Sequence, residues 1–253
     1  MQVPWLEPGD PLPDPASAWG EADPVPGLLA AGGALDVPTL VQAYSHCIFP
    51  WFSDGQPVLW WSPDPRMVLE LARFKLHRSL RKTLTHFAAT PRCEIRVDQN
   101  FEAVITACSE APRVGQTGTW IVPEMVEAYV ALHRAGFAHS VETWIDDELA
   151  GGLYCVSIGG AVFGESMFMR QPDASKIALS ALVCLCRRQD VAMIDCQQNT
   201  AHLASLGARE MPRARFVSHV ADAVQAHRHK APQWNFEPLY WNEILSARHF
   251  STT

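Results

Sequence analysis

Nowhere does the chain offer close to twenty consecutive apolar residues, and its start carries no basic, apolar, small-residue leader. Neither a membrane helix nor secretion is expected. No Cys-x-x-Cys pair occurs among the seven cysteines, Cys47, Cys93, Cys108, Cys155, Cys184, Cys186 and Cys196. An odd count without that spacing argues against a disulfide framework and a zinc site, and fits small buried thiols in a reducing, cytoplasmic setting. None of the ten histidines pairs with another at i, i+4, so no metal is expected. Positive charge is missing altogether from residues 1–65, which hold eight acids.

What the chain does have is size and an uneven charge. Its 253 residues, 48% hydrophobic and 19% charged, suffice for one large domain or two small ones. The formal charge of −7 speaks against nucleic acid only as a sum, because distribution matters more. Between positions 66 and 96, eight basic residues (Arg66, Arg73, Lys75, Arg78, Arg81, Lys82, Arg92 and Arg96) stand against Glu70 and Glu94. Ser79 reads as a helix N-cap, which would put Arg78, Arg81 and Lys82 on one side and Leu80 and Leu84 on another. Such a strip is either a solvated face or a phosphate contact.

Periodicity and turn residues predict a mixed α/β chain in two regions. The first, 1–71, opens with an acidic arm in which Pro4, Pro8, Pro11, Pro13 and Pro15 forbid a long helix. A short helix at 36–44 and an aromatic strand and turn over 49–61 follow. The second, 72–253, is entered by a strand at 67–76. It then reads helix 79–87, strand 93–98, helices 101–110 and 123–134, and strands 139–145, 150–157 and 161–165, with turns at Asp146-Asp147 and Gly159-Gly160. A helix at 171–189, a strand at 191–197, a short helix at 200–206 and a last strand at 215–220 complete it. This order resembles the acetyltransferase-like (GNAT) fold, in which central strands splay to admit a substrate.

Two strand ends draw the eye to chemistry. In an extended strand i and i+2 share a face, so in Ile194-Asp195-Cys196-Gln197 an acid and an amide project together while Cys196 turns away. Phe163-Gly164-Glu165-Ser166-Met167-Phe168 ends the strand before the intervening helix and brings a second carboxylate. The bland alternative makes Asp195 a helix cap and Glu165 a surface ion-pair partner. Trp60 and Trp61 are adjacent in a strand, so at least one is structural; Trp51, after a proline, and Trp120, ahead of a helix, suit a pocket rim that stacks on a base.

These segments carry a resemblance. Phe49-Pro50-Trp51-Phe52, Trp60-Trp61-Ser62-Pro63-Asp64-Pro65-Arg66, Gly164-Glu165-Ser166-Met167-Phe168, Asp173-Ala174-Ser175-Lys176, Ile194-Asp195-Cys196-Gln197 and His202-Leu203-Ala204-Ser205-Leu206-Gly207-Ala208 run in the order found in the bacterial leucyl/phenylalanyl-tRNA protein transferases. Cys47 and Cys155 stand where glycine is usual in that family, and Met169 where serine is common. The resemblance implies transfer of Leu or Phe, less well Met, from aminoacyl-tRNA to acceptor proteins beginning with Lys or Arg, which marks them for N-degron (N-end rule) degradation. It implies no cofactor and, in the reading adopted, a monomer. It assigns Trp51, Trp120 and Tyr129 to the terminal aminoacyl-adenosine, and Leu153, Phe163, Ser166 and Met167 to substrate. The basic residues Arg66, Arg78, Arg81 and Lys82 fall to tRNA.

An aminoacyl ester is already activated, so the catalyst needs orientation and one proton acceptor. Asp195 is the candidate base, with Gln197 holding the amine; the tRNA 2′-hydroxyl could relay the proton instead. Glu165 either binds the substrate amino group or orients Asp195. An acyl-coenzyme A N-acyltransferase would share the fold but needs a glycine-rich pyrophosphate loop, and no glycine lies between Ser166 and Asp173. A Cys196 nucleophile would face away from Asp195 with no histidine fixed beside it. An RNA-binding module explains the basic strip but not the paired carboxylates.

Overall fold

Two sheets organise the computed structural model, which describes residues 3–111, 121–226 and 233–246. The smaller contains β1 (Trp5–Leu6), β2 (Leu28–Gly32), β3 (Phe49–Pro50) and β4 (Leu59–Trp61) in the order β1-β2-β4-β3. Between β2 and β3 runs α1 (Val37–Ser45), capped by the Asp36 carboxylate on the Thr39 amide at 2.9 Å. Trp60 and Trp61 both lie buried, so the strand they share is structural on both faces.

The chain then enters the larger sheet with β5 (Arg66–Glu70), followed by α2 (Arg78–Ala89), β6 (Cys93–Val97), α3 (Phe101–Glu110) and α4 (Pro123–Arg134). Three long antiparallel strands come next, β7 (Ala138–Ile145), β8 (Glu148–Ile158) and β9 (Ala161–Met169). The β7–β8 turn uses left-handed Asp146 and Asp147, which short polar side chains tolerate. After β9 come α5 (Ala174–Arg188), β10 (Met193–Gln197), α6 (Ala201–Ser205), β11 (Arg209–Met211), α7 (Arg213–Ala226) and α8 (Asn242–Leu245). The sheet order is β11-β5-β10-β9-β8-β7-β6, and β9 with β10 is its parallel pair. The fold class is therefore mixed α/β.

Alternation along the strands divides the core between the faces of this sheet. Tyr154 and Val156 of β8 join one cluster, with α1, α3, α4, α7 and the small sheet. Leu153 and Cys155 join the other, with α2, α5 and the segment around Trp241. That separation yields a three-layer molecule. No helix among the described residues is long and apolar enough to cross a membrane.

Three expectations need correction, and one strand was missed. The strand anticipated at 215–220 is part of α7, because Phe216 and Val220, four apart, are the positions it buries. The strand anticipated to run to 76 ends at Glu70 and turns into a 3-10 segment, Leu71–Arg73. β11 went unforeseen. Ser79 is not the cap of α2; His77 occupies that position, and its ring bonds the Ser205 carbonyl rather than an amide of the helix.

Candidate active site

β9 and β10 are in register at only two positions, Ile194 with Val162 and Asp195 with Phe163. Beyond them the strands part, and a cavity of about 410 Å³ occupies the gap. Leu153, Met167, Leu179, Leu182, Ile194 and Leu203 form its apolar wall, while Phe49, Pro50 and Trp51 border it from the small sheet. A volume of a few hundred cubic ångströms with few polar groups suits a small ligand or the end of a larger one.

Glu165 sits where the strands diverge, and a β-bulge puts it there. Tyr154 faces Ser166 but Cys155 faces Gly164, so Glu165 is the extra residue. The Tyr44 hydroxyl donates to its Oε1 at 2.7 Å, the Gln197 side-chain amide donates to the same oxygen at 2.8 Å, and the Tyr129 hydroxyl reaches Oε2 at 3.4 Å. The two tyrosine hydroxyls are also hydrogen-bonded to each other. Burial raises the Glu165 carboxyl to about 7; the bonds from Tyr44 and Gln197 lower it, Asp195 raises it and Arg66 lowers it. Burial, followed by the Glu165 charge, lifts both tyrosines well above their usual range, so they remain neutral donors.

Behind Gln197 lies a buried ion pair. Arg66 donates from Nε to Asp195 Oδ1 and Oδ2 at 2.9 and 3.1 Å, and from Nη2 to Oδ2 at 2.7 Å. The backbone N–H of Gln197 donates to Asp195 Oδ1 at 2.8 Å. Gln197 is left-handed, with φ of 59°, at a shift in the β5–β10 register. Cys47, which stands where glycine is usual, has φ of 63°, a region glycine enters freely.

The cavity collects Trp51, Leu153, Glu165, Ser166, Met167, Asp195 and Gln197 from the sequence reading. Three residues sit otherwise. Phe163 is fully buried against Tyr44 and Phe216, away from the cavity, because the bulge reverses which residues of β9 face which layer. Tyr129 is fully buried and meets Glu165 from below, so it has no free face for a base. Arg66 is fully buried, which removes it from any surface strip. Arg78 and Lys82 are exposed; Arg81 is half-buried and donates to the Leu245 carbonyl at 2.8 Å. Trp120 lies outside the described residues. Sequence reasoning missed Tyr44, whose hydroxyl is the polar tip on the buried side of α1 beside Leu40, and the partnership of Arg66 with Asp195 across 129 residues.

The family described as "Leucyl/phenylalanyl-tRNA protein transferase" matches residues 68–221, and its N-terminal domain residues 33–64. A leucyl/phenylalanyl-tRNA protein transferase of Polaromonas sp. (strain JS666) is 66% identical over 245 residues, 97% of this chain and 95% of its own. One from Albidiferax ferrireducens is 56% identical over 250 residues, 99% and 97% of the two chains. Among solved structures, L-PGS from Bacillus licheniformis is 12% identical with a TM-score of 0.39, over 87% of this chain and 74% of that one. So weak a likeness has no bearing on the reaction.

Proposed function

The chain belongs to the leucyl/phenylalanyl-tRNA protein transferase family, and from that premise we propose how its residues divide the work. The enzyme is an aminoacyltransferase that moves an aminoacyl group from tRNA to protein. The acyl-coenzyme A alternative finds no support in the relatives.

In our reading the aminoacyl side chain enters the apolar gap among Leu153, Met167, Leu179, Leu182 and Leu203, and Trp51 flanks the terminal adenosine. The acceptor α-amino group comes to Glu165 and Gln197. An α-amine has a pKa of about 7.7 to 8.0, so a useful fraction is neutral near pH 7. Its nitrogen attacks the ester carbonyl. As the C–N bond forms, the C–O bond to the terminal ribose breaks, one proton leaves nitrogen and one joins the ribose oxygen. Glu165, held at about 7, is matched to take the first proton. Help of this kind is typically worth about 10² to 10⁴ in rate, and holding the reactants together contributes further. Sequence favours Asp195 as the base, but it is only 1% exposed and its charge is held in a buried ion pair with Arg66. We therefore give it a positioning role. The observation that carries this reading is the meeting of Glu165 and Gln197, 2.8 Å apart, where an apolar cavity opens between parting strands.

A carboxylate at the amine position favours cationic acceptors, so we propose proteins beginning with Lys or Arg, in the N-degron route of degradation. Arg78, Arg81 and Lys82 are proposed to meet tRNA phosphates. We place the enzyme in the cytoplasm as a monomer. The splay of β9 from β10 supports reading the larger sheet as acetyltransferase-like (GNAT). The separate small sheet supports a smaller N-terminal unit; since β5 belongs to the larger sheet, the boundary sits naturally just before Arg66 rather than after position 71.

The test is transfer of labelled Leu or Phe from charged tRNA to peptides beginning with Lys, Arg or Ala, with labelled acetyl-coenzyme A as control. Transfer to the Lys and Arg peptides is expected. Movement of acetyl groups without movement of Leu would overturn the reading.

A further inference from the structure

We propose that Arg66 is a positioning residue for the transfer reaction: through Asp195 it holds Gln197 in the left-handed conformation that brings its side-chain amide onto Glu165. The proposal rests on the roles given above to Glu165 and Gln197.

Arg66 occupies a site built around it. Its guanidinium lies 4.7 Å from the centre of the Phe49 ring and 5.0 Å from that of Phe216. Nη1 donates to the Cys47 carbonyl at 3.2 Å, so all three nitrogens are engaged and the plane cannot turn. That plane fixes Asp195, and Asp195 Oδ1 fixes the Gln197 N–H at 2.8 Å. The tether matters because the sheet gives little help at this point. Pairing with β9 stops at Asp195, and pairing with β5 shifts register between Asp195 and Gln197. A non-glycine residue at φ of 59° persists only where its surroundings enforce it. A chain of contacts thus runs from Arg66 through Asp195 and the Gln197 backbone to the Gln197 side chain and Glu165.

The same pair is balanced electrically toward Glu165. Arg66 lowers the Glu165 pKa and Asp195 raises it. Among the described residues, Tyr44 and Tyr129 are bonded to Glu165 and the thiol of Cys155 feels its charge; each is raised above its usual range and hence neutral near pH 7. Removing Arg66 alone leaves Asp195 uncompensated, so the proton acceptor should titrate at higher pH. Removing both charges should restore the titration but not the tether.

Three variants separate positioning from filling. Replacing a buried ion pair by apolar residues of similar volume is often neutral or stabilising, so Arg66→Met with Asp195→Leu should fold with a melting temperature near the parent's. Its kcat should fall on the order of 10²-fold, as for a misplaced reacting group, with KM for Leu-tRNA within about twofold. Arg66→Met alone should move the acidic limb of the rate profile to higher pH. Arg66→Lys keeps the charge but not the fork, so it should leave that limb in place and still lower kcat; it decides the matter if the double variant does not fold. Parental kcat in the folded double variant, or in Arg66→Lys, would overturn the proposal. If Glu165→Gln and Gln197→Ala each keep the parental kcat, the failure lies instead in the roles assigned to Glu165 and Gln197.

Discussion

Burial lifts the Glu165 carboxyl while Tyr44 and Gln197 restrain the rise, leaving it poised near 7. The sign of the linked stability follows. A carboxyl whose folded pKa exceeds its ordinary 4.5 binds its proton more tightly when folded. That contribution is complete below about 4.5 and is lost as pH climbs through about 7. The protein should therefore lose stability over this window, by up to about 3 kcal/mol from this group. Glu165→Gln should flatten the decline in urea titrations at pH 5 and pH 8 while lowering turnover at least about 10²-fold. The wild-type rate should rise with pH through a limb near 7. If the Gln variant keeps both the parental pH dependence of stability and the parental limb, the carboxylate is not the titrating group.

Elements, rather than isolated residues, set the width of the cavity between β9 and β10. Leu203 reaches the cavity from α6, a single turn capped by Thr200, and is only partly buried. Leu203→Phe should narrow the apolar end without crowding the core. A change of pocket size by a methylene or more shifts discrimination roughly 10- to 200-fold. We expect kcat/KM for Phe-tRNA to fall at least tenfold relative to Leu-tRNA, on the lower side of that range; an unchanged ratio would place the side chain elsewhere. The elements that build this gap were mostly legible. The sequence reading located α3 and α4 at the bounds they have, and paired aspartates marked the β7–β8 turn. The contents of the site were legible as motifs, but their directions were not. The resemblance assigned Phe163 and Met167 alike to substrate, yet the bulge at Glu165 turns them to different layers, and a bulge leaves little trace in residue types. The segment Arg215-Phe216-Val217-Ser218-His219-Val220 has its apolar residues at 216, 217 and 220, a helical spacing that the expectation of a strand misread. Packing against α1 and β9 decided for the helix. Nothing local could pair Arg66 with Asp195, because that contact exists only after β5 and β10 dock.

At the scale of the molecule, the two faces of the large sheet carry different charge. The small sheet and its arm, with eight acids and no bases in residues 1–65, lie on one side, and α2 with Arg78 and Lys82 lies on the other. If α2 meets phosphates, replacing Arg78, Arg81 and Lys82 by Ala should weaken several tRNAs about equally. The slope of log affinity against log salt should flatten by somewhat under one unit per lost contact. Reaction with a small aminoacyl-adenosine donor should stay nearly unchanged. A triple variant with parental affinity and slope would move the docking surface elsewhere.

The layered separation of charge also makes the molecule a dipole. A polyanion approaching from solution exerts a torque on it, repelling the acidic layer and drawing the basic one forward, so orientation precedes contact. Collisions are then biased toward the face that carries α2 even though the net charge of −7 is repulsive. Raising ionic strength beyond the point where the Debye length falls below the width of a layer, about 10 Å at 0.1 M, erases that bias. The arrival rate of tRNA will then drop more steeply than its departure rate rises.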